Sequence, residues 1–352
     1  MFDKFDGLPV VIGWELTLKC NLRCRHCASS AFLPRPAELT RREALEICRQ
    51  LPDLLVQEVN FTGGEPLLAD HWESIAGYLA GRGINVQVLT NGFSMTPSIA
   101  ERIRGSGIIS VGISLDGMEV THDGLRECPG LFRRVLRAVE NLLKAGLRLT
   151  AITTVHSGNI RELPSLFELL PKIGIRDWQI QPVFPLGRSK SGPELLLNNA
   201  DYLDLGRFIA DYQPLAKQDG WDLRPADSCG YFTELDLREV AWRGCPAGLA
   251  TVGIMSDGRI KGCLSMPDQY AEGDLRHSKL WDIWFDRAAF SYRRGFSLDQ
   301  LGPSCESCEK AQDCQGGCSA MSIGSTALFH NDPYCFYGIH KREQPHIRRN
   351  SG

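Results

Sequence analysis

The chain has 352 residues, 43% of them apolar and 23% charged, enough to bury a large core and too apolar to be disordered throughout. Its 39 Lys and Arg against 42 Asp and Glu leave a formal net charge of −3, so composition argues for no nucleic-acid partner and no membrane surface. No stretch is long and apolar enough to span a bilayer, Met1–Pro9 has no signal-peptide apolar run, and a cytoplasmic protein is expected. Thirteen Cys, an odd number in a large chain that nothing directs to export, argue against a disulfide scaffold and for metal or redox use.

From Val10 to about Gln213, short apolar runs alternate with longer amphipathic ones. Strands are expected at Val10–Thr17, Glu58–Thr62, Asn85–Leu89, Ile109–Leu115, Leu147–Val155 and Trp178–Val183, apolar nearly throughout as buried parallel strands are. Helices are expected at Arg41–Leu51, His71–Gly81, Ser98–Arg104, Phe132–Ala145, Arg161–Leu170 and Tyr202–Tyr212. Thr40 with Glu43 makes a capping box for the first, and Pro97 suits the first turn of the third. Six β-then-α units imply right-handed parallel crossovers, and eight would be needed to close a barrel. The fold class expected is α/β: a partial (β/α)6 barrel whose working loops lie at the strand C-terminal ends.

After about Gln213, Gly, Pro and Cys rise and helices become sparse. Asp257-Gly258 between apolar flanks predicts a hairpin over Met255–Arg259, and Leu280–Phe290 reads as one helix. The Cys-rich remainder is too loop-heavy to hold itself by apolar burial, and metal sites would supply the constraint. The expected division is a barrel over 1–215, a bridging segment over 216–244, a Cys-rich domain over 245–345 and a disordered tail over 346–352.

Cys20, Cys24 and Cys27 are spaced C-x3-C-x2-C on the loop after the first strand. Three thiolates there can hold three irons of a cubane cluster and leave the fourth iron open to a substrate or cosubstrate, whereas an electron-transfer cluster takes four Cys. The alternative is a structural zinc with a distant fourth ligand such as His26. Gly63-Gly64-Glu65-Pro66 follows the second strand, where exposed backbone and one carboxylate suit an ammonium; read alone it is a tight turn ended by proline. Thr90-Asn91-Gly92 ends the third strand, Ser114-Leu-Asp116-Gly117 the fourth, and His122-Asp123-Gly-Leu-Arg126 comes next.

This ordered set resembles the radical S-adenosylmethionine (SAM) superfamily over roughly residues 10–215. The resemblance implies that Cys20, Cys24 and Cys27 carry a [4Fe–4S] cluster and that Gly63, Gly64, Glu65 and Pro66 grip the methionine amino group. It implies that Ser114 and Asp116 contact the SAM ribose and carboxylate, that Arg126 pairs with that carboxylate, and that Asn91 lines the same mouth. Val155 and Gln181, which end strands five and six, are implied adenine contacts. The implied mechanism is reductive cleavage of SAM, after which a 5′-deoxyadenosyl radical abstracts hydrogen from a substrate.

Downstream the pattern is Cys245-x12-Gly258-x4-Cys263, then Cys305-x2-Cys308-x5-Cys314-x3-Cys318, then Cys335. A pair of zinc ribbons is one reading. The seven-Cys spacing instead resembles the SPASM domain of peptide-maturing radical SAM enzymes, which holds two auxiliary four-iron clusters. By position Cys305, Cys308, Cys314 and Cys335 would ligate the outer cluster, and Cys245, Cys263 and Cys318 the inner one. Cys229 stands as the inner cluster's fourth ligand, as a thiol that donates hydrogen to a substrate radical, or as an inert buried Cys. Cys48 reads as core, and Cys128 as inert.

The resemblance implies a ribosomally made peptide or small-protein substrate, with a crosslink, thioether, epimer or related product, and a reductant such as flavodoxin or ferredoxin. Only 19 residues precede Cys20, so the winged-helix peptide-recognition domain of some maturases is expected to be missing, with a separate leader-recognition protein or the barrel mouth in its place. The loop Phe184–Pro193 is polar and flexible enough to cover that mouth, or is a plain connection to the next helix. A small-molecule substrate, or a non-catalytic iron–sulfur module, is the alternative.

Overall fold

Parallel strands in sequence order make the frame. β1 (Val11–Thr17), β2 (Glu58–Gly63), β3 (Asn85–Thr90), β4 (Ser110–Ser114), β5 (Arg148–Val155), β6 (Asp177–Pro182) and β7 (Asp222–Pro225) pair side by side, all parallel. β8 (Thr251–Ile254) joins the other edge of β1 in parallel, and β9 (Arg259–Lys261) and β10 (Gly273–Asp274) continue the sheet antiparallel. The computed structural model describes residues 7–226, 228–229, 231, 242 and 244–343; the expected tail at 346–352 and part of the expected bridging segment lie outside them.

The helices among the described residues are α1 (Arg41–Cys48), α2 (Trp72–Ala80), α3 (Pro97–Gly105), α4 (Glu119–Leu125), α5 (Leu131–Lys144), α6 (Leu163–Lys172), α7 (Asn199–Gln218), α8 (Leu280–Phe285), α9 (Ser291–Arg294), α10 (Ala311–Cys314), α11 (Ser319–Thr326) and α12 (Phe336–Glu343). None is long and apolar enough to cross a membrane. The capping box of Thr40 and Glu43 starts α1, and Thr96 with Pro97 starts α3. In α5 the buried residues Leu131, Phe132, Val135, Ala138, Val139 and Leu142 make one stripe of helical period, which packs on the sheet. The six expected β/α units are all present. The hairpin expected at Met255–Arg259 is the β8–β9 pair.

Two expectations need correction. The helix read over Leu280–Phe290 stops at Phe285, because the Asp286 carboxylate accepts from Ala288 N at 2.9 Å and Phe290 takes a left-handed φ of 56°. Of the strands, read as buried on both faces, β4 and the second half of β1 are so, and four others are buried mainly on one. Along β2, β3, β5 and β6 buried residues alternate with partly exposed ones. Val59, Phe61, Val86, Val88, Trp178 and Ile180 face the helices, while Asn60, Gln87, Thr150, Gln179 and Gln181 face the concave side. Eight adjacent parallel strands would suffice for a closed barrel, but β7 and β8 lie at opposite ends of the parallel run and do not pair. The barrel is open, and its polar inner face is free for a ligand.

On the covered face the Trp178 ring N–H donates to Thr153 Oγ1 at 2.8 Å, and that hydroxyl donates to Leu115 O at 2.6 Å, which ties β4, β5 and β6 together. Thr153→Val keeps the shape and leaves both partners unpaired. It should lower the unfolding free energy by about 1–3 kcal/mol, seen as a lower urea midpoint at unchanged slope.

Candidate functional site

The loop leaving β1 carries the first three cysteines. Its ends are tied by Cys20 N donating to Phe32 O at 3.0 Å. The chain leaving β2 locks onto its base, with Gly64 N donating to Thr17 O at 2.8 Å and Glu65 N to Lys19 O at 2.9 Å. Only glycine fits here: a Cβ on Gly63, whose φ is +132°, would sit 2.2 Å from Thr17 O, and one on Gly64 2.2 Å from Lys19 O. Glu65 is buried, and its carboxylate accepts from Thr90 Oγ1 at 2.8 Å and Asn91 N at 2.9 Å, joining the ends of β2 and β3. Burial pushes its carboxyl up to about 7. The carboxylate read from sequence as a partner for an ammonium is therefore also a structural acceptor, with lone-pair capacity left over.

Asp116, fully buried just after β4, is the most heavily bonded group at this end of the sheet. Arg126 Nε and Nη2 each reach Asp116 Oδ2 at 2.7 Å, and Thr154 N donates to Oδ1 at 2.9 Å. Its backbone N donates to His122 Nδ1 at 3.1 Å, and its backbone O accepts from Asn159 Nδ2 at 2.6 Å. Burial would push the carboxyl up, but Arg126, His26, His122 and the Thr154 amide together hold it far below the usual range. Arg126, expected to hold a ligand's carboxylate, thus has an internal carboxylate partner. Its remaining Nη1 lies 3.9 Å from Cys24 Sγ, as Asn91 Nδ2 does from Cys20 Sγ. Ser114 ends β4, Val155 ends β5 in the core, and Gln181 lies on β6 with Nε2 3.4 Å from Thr154 Oγ1. Asp123 is structural: it caps α5, accepting from Gly130 N at 2.5 Å and Phe132 N at 2.7 Å.

Sequence reasoning saw only part of this site. His26, read there as a possible zinc ligand, instead comes within 3.8 Å of Asp116, and burial lowers its pKa to about 3. His26 Nδ1, His122 Nε2 and His156 Nε2 are buried with no hydrogen-bond partner. The position of His156, one residue past the end of β5, could have flagged it; nothing in the sequence marks Asn159.

Burial raises the Cys24 thiol to about 11 and also raises Cys20, so with no cation these thiols are protonated. A metal centre displaces such protons and needs a donor set of this kind. Among the described residues no three His, Cys, Asp or Glu side chains converge on a site for a single ion.

The second group lies around one cavity and an adjoining apolar cluster. Cys305, Cys308, Cys314 and Cys335 line one cavity of about 590 Å³ together with Asp332 and Tyr334. Tyr334 and Phe336 pack on Tyr202 of α7, which docks this cavity on the barrel. Cys245, Cys263 and Cys318 lie in an apolar cluster with Leu186, Tyr231 and Met266, which Cys314 and Cys335 also join. Burial raises the Cys318 thiol, and the charges of Cys245 and Cys263 add to the effect. Tyr231 links the two groups: its hydroxyl donates to Asp332 Oδ2 at 2.9 Å and accepts from Cys318 N at 3.0 Å. Cys229 belongs to the main core, within electrostatic reach of Tyr202, as is Cys318. No disulfide forms among the described residues. In the loop Phe184–Pro193, a 3-10 turn over Gly187–Ser191 is fastened to the first cysteine loop.

The sequence profile of the Radical SAM superfamily matches residues 14–170. The AdoMet-dependent heme synthase of Methanosarcina barkeri is 30% identical over 347 residues, 94% of this chain and 97% of that protein. Mycofactocin maturase MftC of Mycobacterium ulcerans is 29% identical over 96% of this chain and 85% of that protein. Native anSMEcpe, solved with bound AdoMet and the Cp18Cys peptide, superposes with a TM-score of 0.73 over 95% of each chain; at 19% identity this is a likeness of fold.

The Arg126–Asp116 pair can be tested without a ligand. Arg126→Met should destabilise the protein by about 3–5 kcal/mol, because it strands a buried carboxylate. Asp116→Asn in the same chain should recover part of that loss. Strict additivity of the two changes in a denaturant double-mutant cycle would mean that the pair is not coupled.

Proposed function

We infer from the family to which this chain belongs, the radical SAM superfamily, that it abstracts hydrogen from a ribosomally made peptide or small protein. One observation carries the site assignment: three thiols on one loop at the strand C-terminal ends, Cys24 buried and Cys20 and Cys27 partly so, flanked by Asn91 and by an Arg126 that keeps one nitrogen free of Asp116. Cys20, Cys24 and Cys27 would hold a [4Fe–4S] cluster with one open iron. When bound, the cluster and SAM supply a 5′-deoxyadenosyl radical by one-electron cleavage of the sulfonium. The Gly63–Pro66 turn would receive the methionine ammonium, and Arg126 Nη1 its carboxylate. Ser114 and Asp116 would line the ribose side, and Asn91, Val155 and Gln181 the rest of the pocket. The concave face, with Asn60, Gln87 and Thr150, would receive the substrate and shield it from water.

Cys305, Cys308, Cys314 and Cys335 would ligate an outer auxiliary cluster, and Cys245, Cys263, Cys318 and Cys229 an inner one, in the manner of a SPASM domain. A flavodoxin or ferredoxin would supply electrons, and a separate protein could present the leader peptide. The peptide reading is supported by the mycofactocin maturase among the relatives and by the fold shared with a peptide-bound enzyme. A second reading, a small-molecule substrate of porphyrin type, is supported by the heme synthase match. Formation of 5′-deoxyadenosine that depends on a precursor peptide, and not on an iron porphyrin, selects the first.

Anaerobically reconstituted protein should carry about twelve irons, three four-iron clusters. Replacing Cys20, Cys24 and Cys27 together with Ala should remove about four of them and all SAM cleavage; a wild-type protein that takes up only zinc would sink the reading. If Cys229 is a ligand, Cys229→Ala lowers the iron count or alters an auxiliary electron paramagnetic resonance (EPR) signal. A full count with unaltered signals rules that role out.

A further inference from the structure

The open barrel poses a mechanical problem at its cofactor end. β7 and β8 do not pair, so the strand ladder fixes the β1 loop against β2 and β8 but not against β6 across the opening. The cysteines sit on that loop and need a defined arc to ligate.

The segment after β6 spans the gap. Arg188 N donates to Cys27 O at 3.0 Å, Arg188 Nε to Cys24 O at 2.7 Å, and Arg188 Nη1 to Ala31 O at 3.1 Å. One residue therefore gathers three carbonyl oxygens from an eight-residue arc that contains two of the three cysteines. Gly187 makes the approach possible. Its φ is +58°, and a Cβ there would lie 2.3 Å from Ala28 O and 2.4 Å from Cys27 O. The turn is stiffened from within by Ser189, fully buried, whose hydroxyl bonds the carbonyls of Phe184 and Leu186.

The other end of the segment is anchored in the second cysteine region. Leu186 is buried in the apolar cluster that contains Cys245 and Cys314, and Phe184 and Ala28 pack against it. Gly324 of α11 lies so close that a Cβ on it would stand 2.9 Å from Leu186 Cγ and 3.1 Å from Pro185 Cγ.

We propose that residues 184–191 are a strap that holds the Cys24–Ala31 arc in its ligating shape, with Arg188 as the positioning residue, and that the strap takes its footing from the auxiliary cysteine region. The strap supplies across the open barrel the restraint that strand pairing supplies in a closed one. A guanidinium suits the task because its planar fork reaches two carbonyls at once, which a single ammonium cannot do in a fixed geometry. Its charge also lies beside the backbone of the loop that would carry an anionic cluster. The proposal rests on the radical SAM reading of that loop.

The experiment is an EPR titration of the reduced, reconstituted full chain with SAM, run on wild type, Arg188→Gln, Arg188→Lys and Gly187→Ala, with iron counted and thermal unfolding recorded on each sample. Arg188→Gln and Gly187→Ala should raise the SAM dissociation constant at least about tenfold, the equivalent of one charged hydrogen bond, and change the SAM-dependent signal while the auxiliary signals stay as they were. Arg188→Lys should recover part of the affinity. If Arg188→Gln fails to fold, Gly187→Ala, which removes no hydrogen-bonding side chain and only pushes the turn away from the Ala28 and Cys27 carbonyls, carries the same expectation. Wild-type affinity and an unchanged SAM-dependent signal in folded Arg188→Gln and Gly187→Ala overturn the strap alone. A wild type whose signal ignores SAM overturns the radical SAM reading of the loop and the strap with it.

Discussion

A buried carboxylate that cannot afford to lose a partner organises the cofactor end of this protein. Asp116 sits at the end of β4, where desolvation makes an unpaired charge prohibitive. Its stability therefore requires Arg126 at the end of α4, the Thr154 amide on β5, and Asn159 and His122 around its backbone, all in place together. Satisfying that one group fixes where β4, α4 and β5 end relative to one another. Through Arg126 it also fixes a cation beside Cys24. A guanidinium held there by an internal carboxylate is pre-organised: it needs no rearrangement to meet a negatively charged cofactor group.

The same reasoning, inverted, applies to the cysteines. Burial raises the Cys305 thiol to about 11 and the Cys335 thiol to about 12, so each would hold its proton if left to itself. Cys305 and Cys335 share a cavity of about 590 Å³ with Cys308 and Cys314. The loops that carry the thiols have little regular structure. Their apolar contacts are few beside those of the barrel, so metal binding and folding would be coupled in this region. Tyr231, bonded both to Asp332 in the outer cavity wall and to the Cys318 amide, makes the two thiol groups one mechanical unit.

Openness shapes the rest. A closed eight-stranded barrel fills its interior with side chains. This sheet stops short of closure and lines its concave face with Asn60, Gln87, Thr150, Gln179 and Gln181. The polar lining has access to solvent or ligand and so avoids the cost of burying unpaired amides. The price of the opening is lost restraint across the β1 and β6 loops, and the contacts of Gly187 and Arg188 with the Cys24–Ala31 arc restore it.

The sequence by itself determined the elements and the donor sets. β1 to β6 are legible to within a residue or two, because β-branched runs bounded by turns and amphipathic helical stripes are local properties. The capping box at Thr40 and Glu43 and the Asp-Gly turn of the β8–β9 hairpin are likewise local, whereas the grouping of Cys305, Cys308, Cys314 and Cys335 came only from the resemblance to the SPASM domain. Tertiary structure decided what those donors face. No local signal says that the Glu65 carboxylate would bind Thr90 and Asn91, that Arg126 would pair with Asp116, or that Arg188 would clasp a loop 157 to 164 residues earlier. The two-sided burial expected of parallel strands holds in β4 and fails in β2, β3, β5 and β6 for the same reason, since which face of a strand is covered depends on what the far ends of the chain fold against. Partners distant in sequence meet only when the sheet brings strand ends together, and burial then obliges each polar group to take the nearest one.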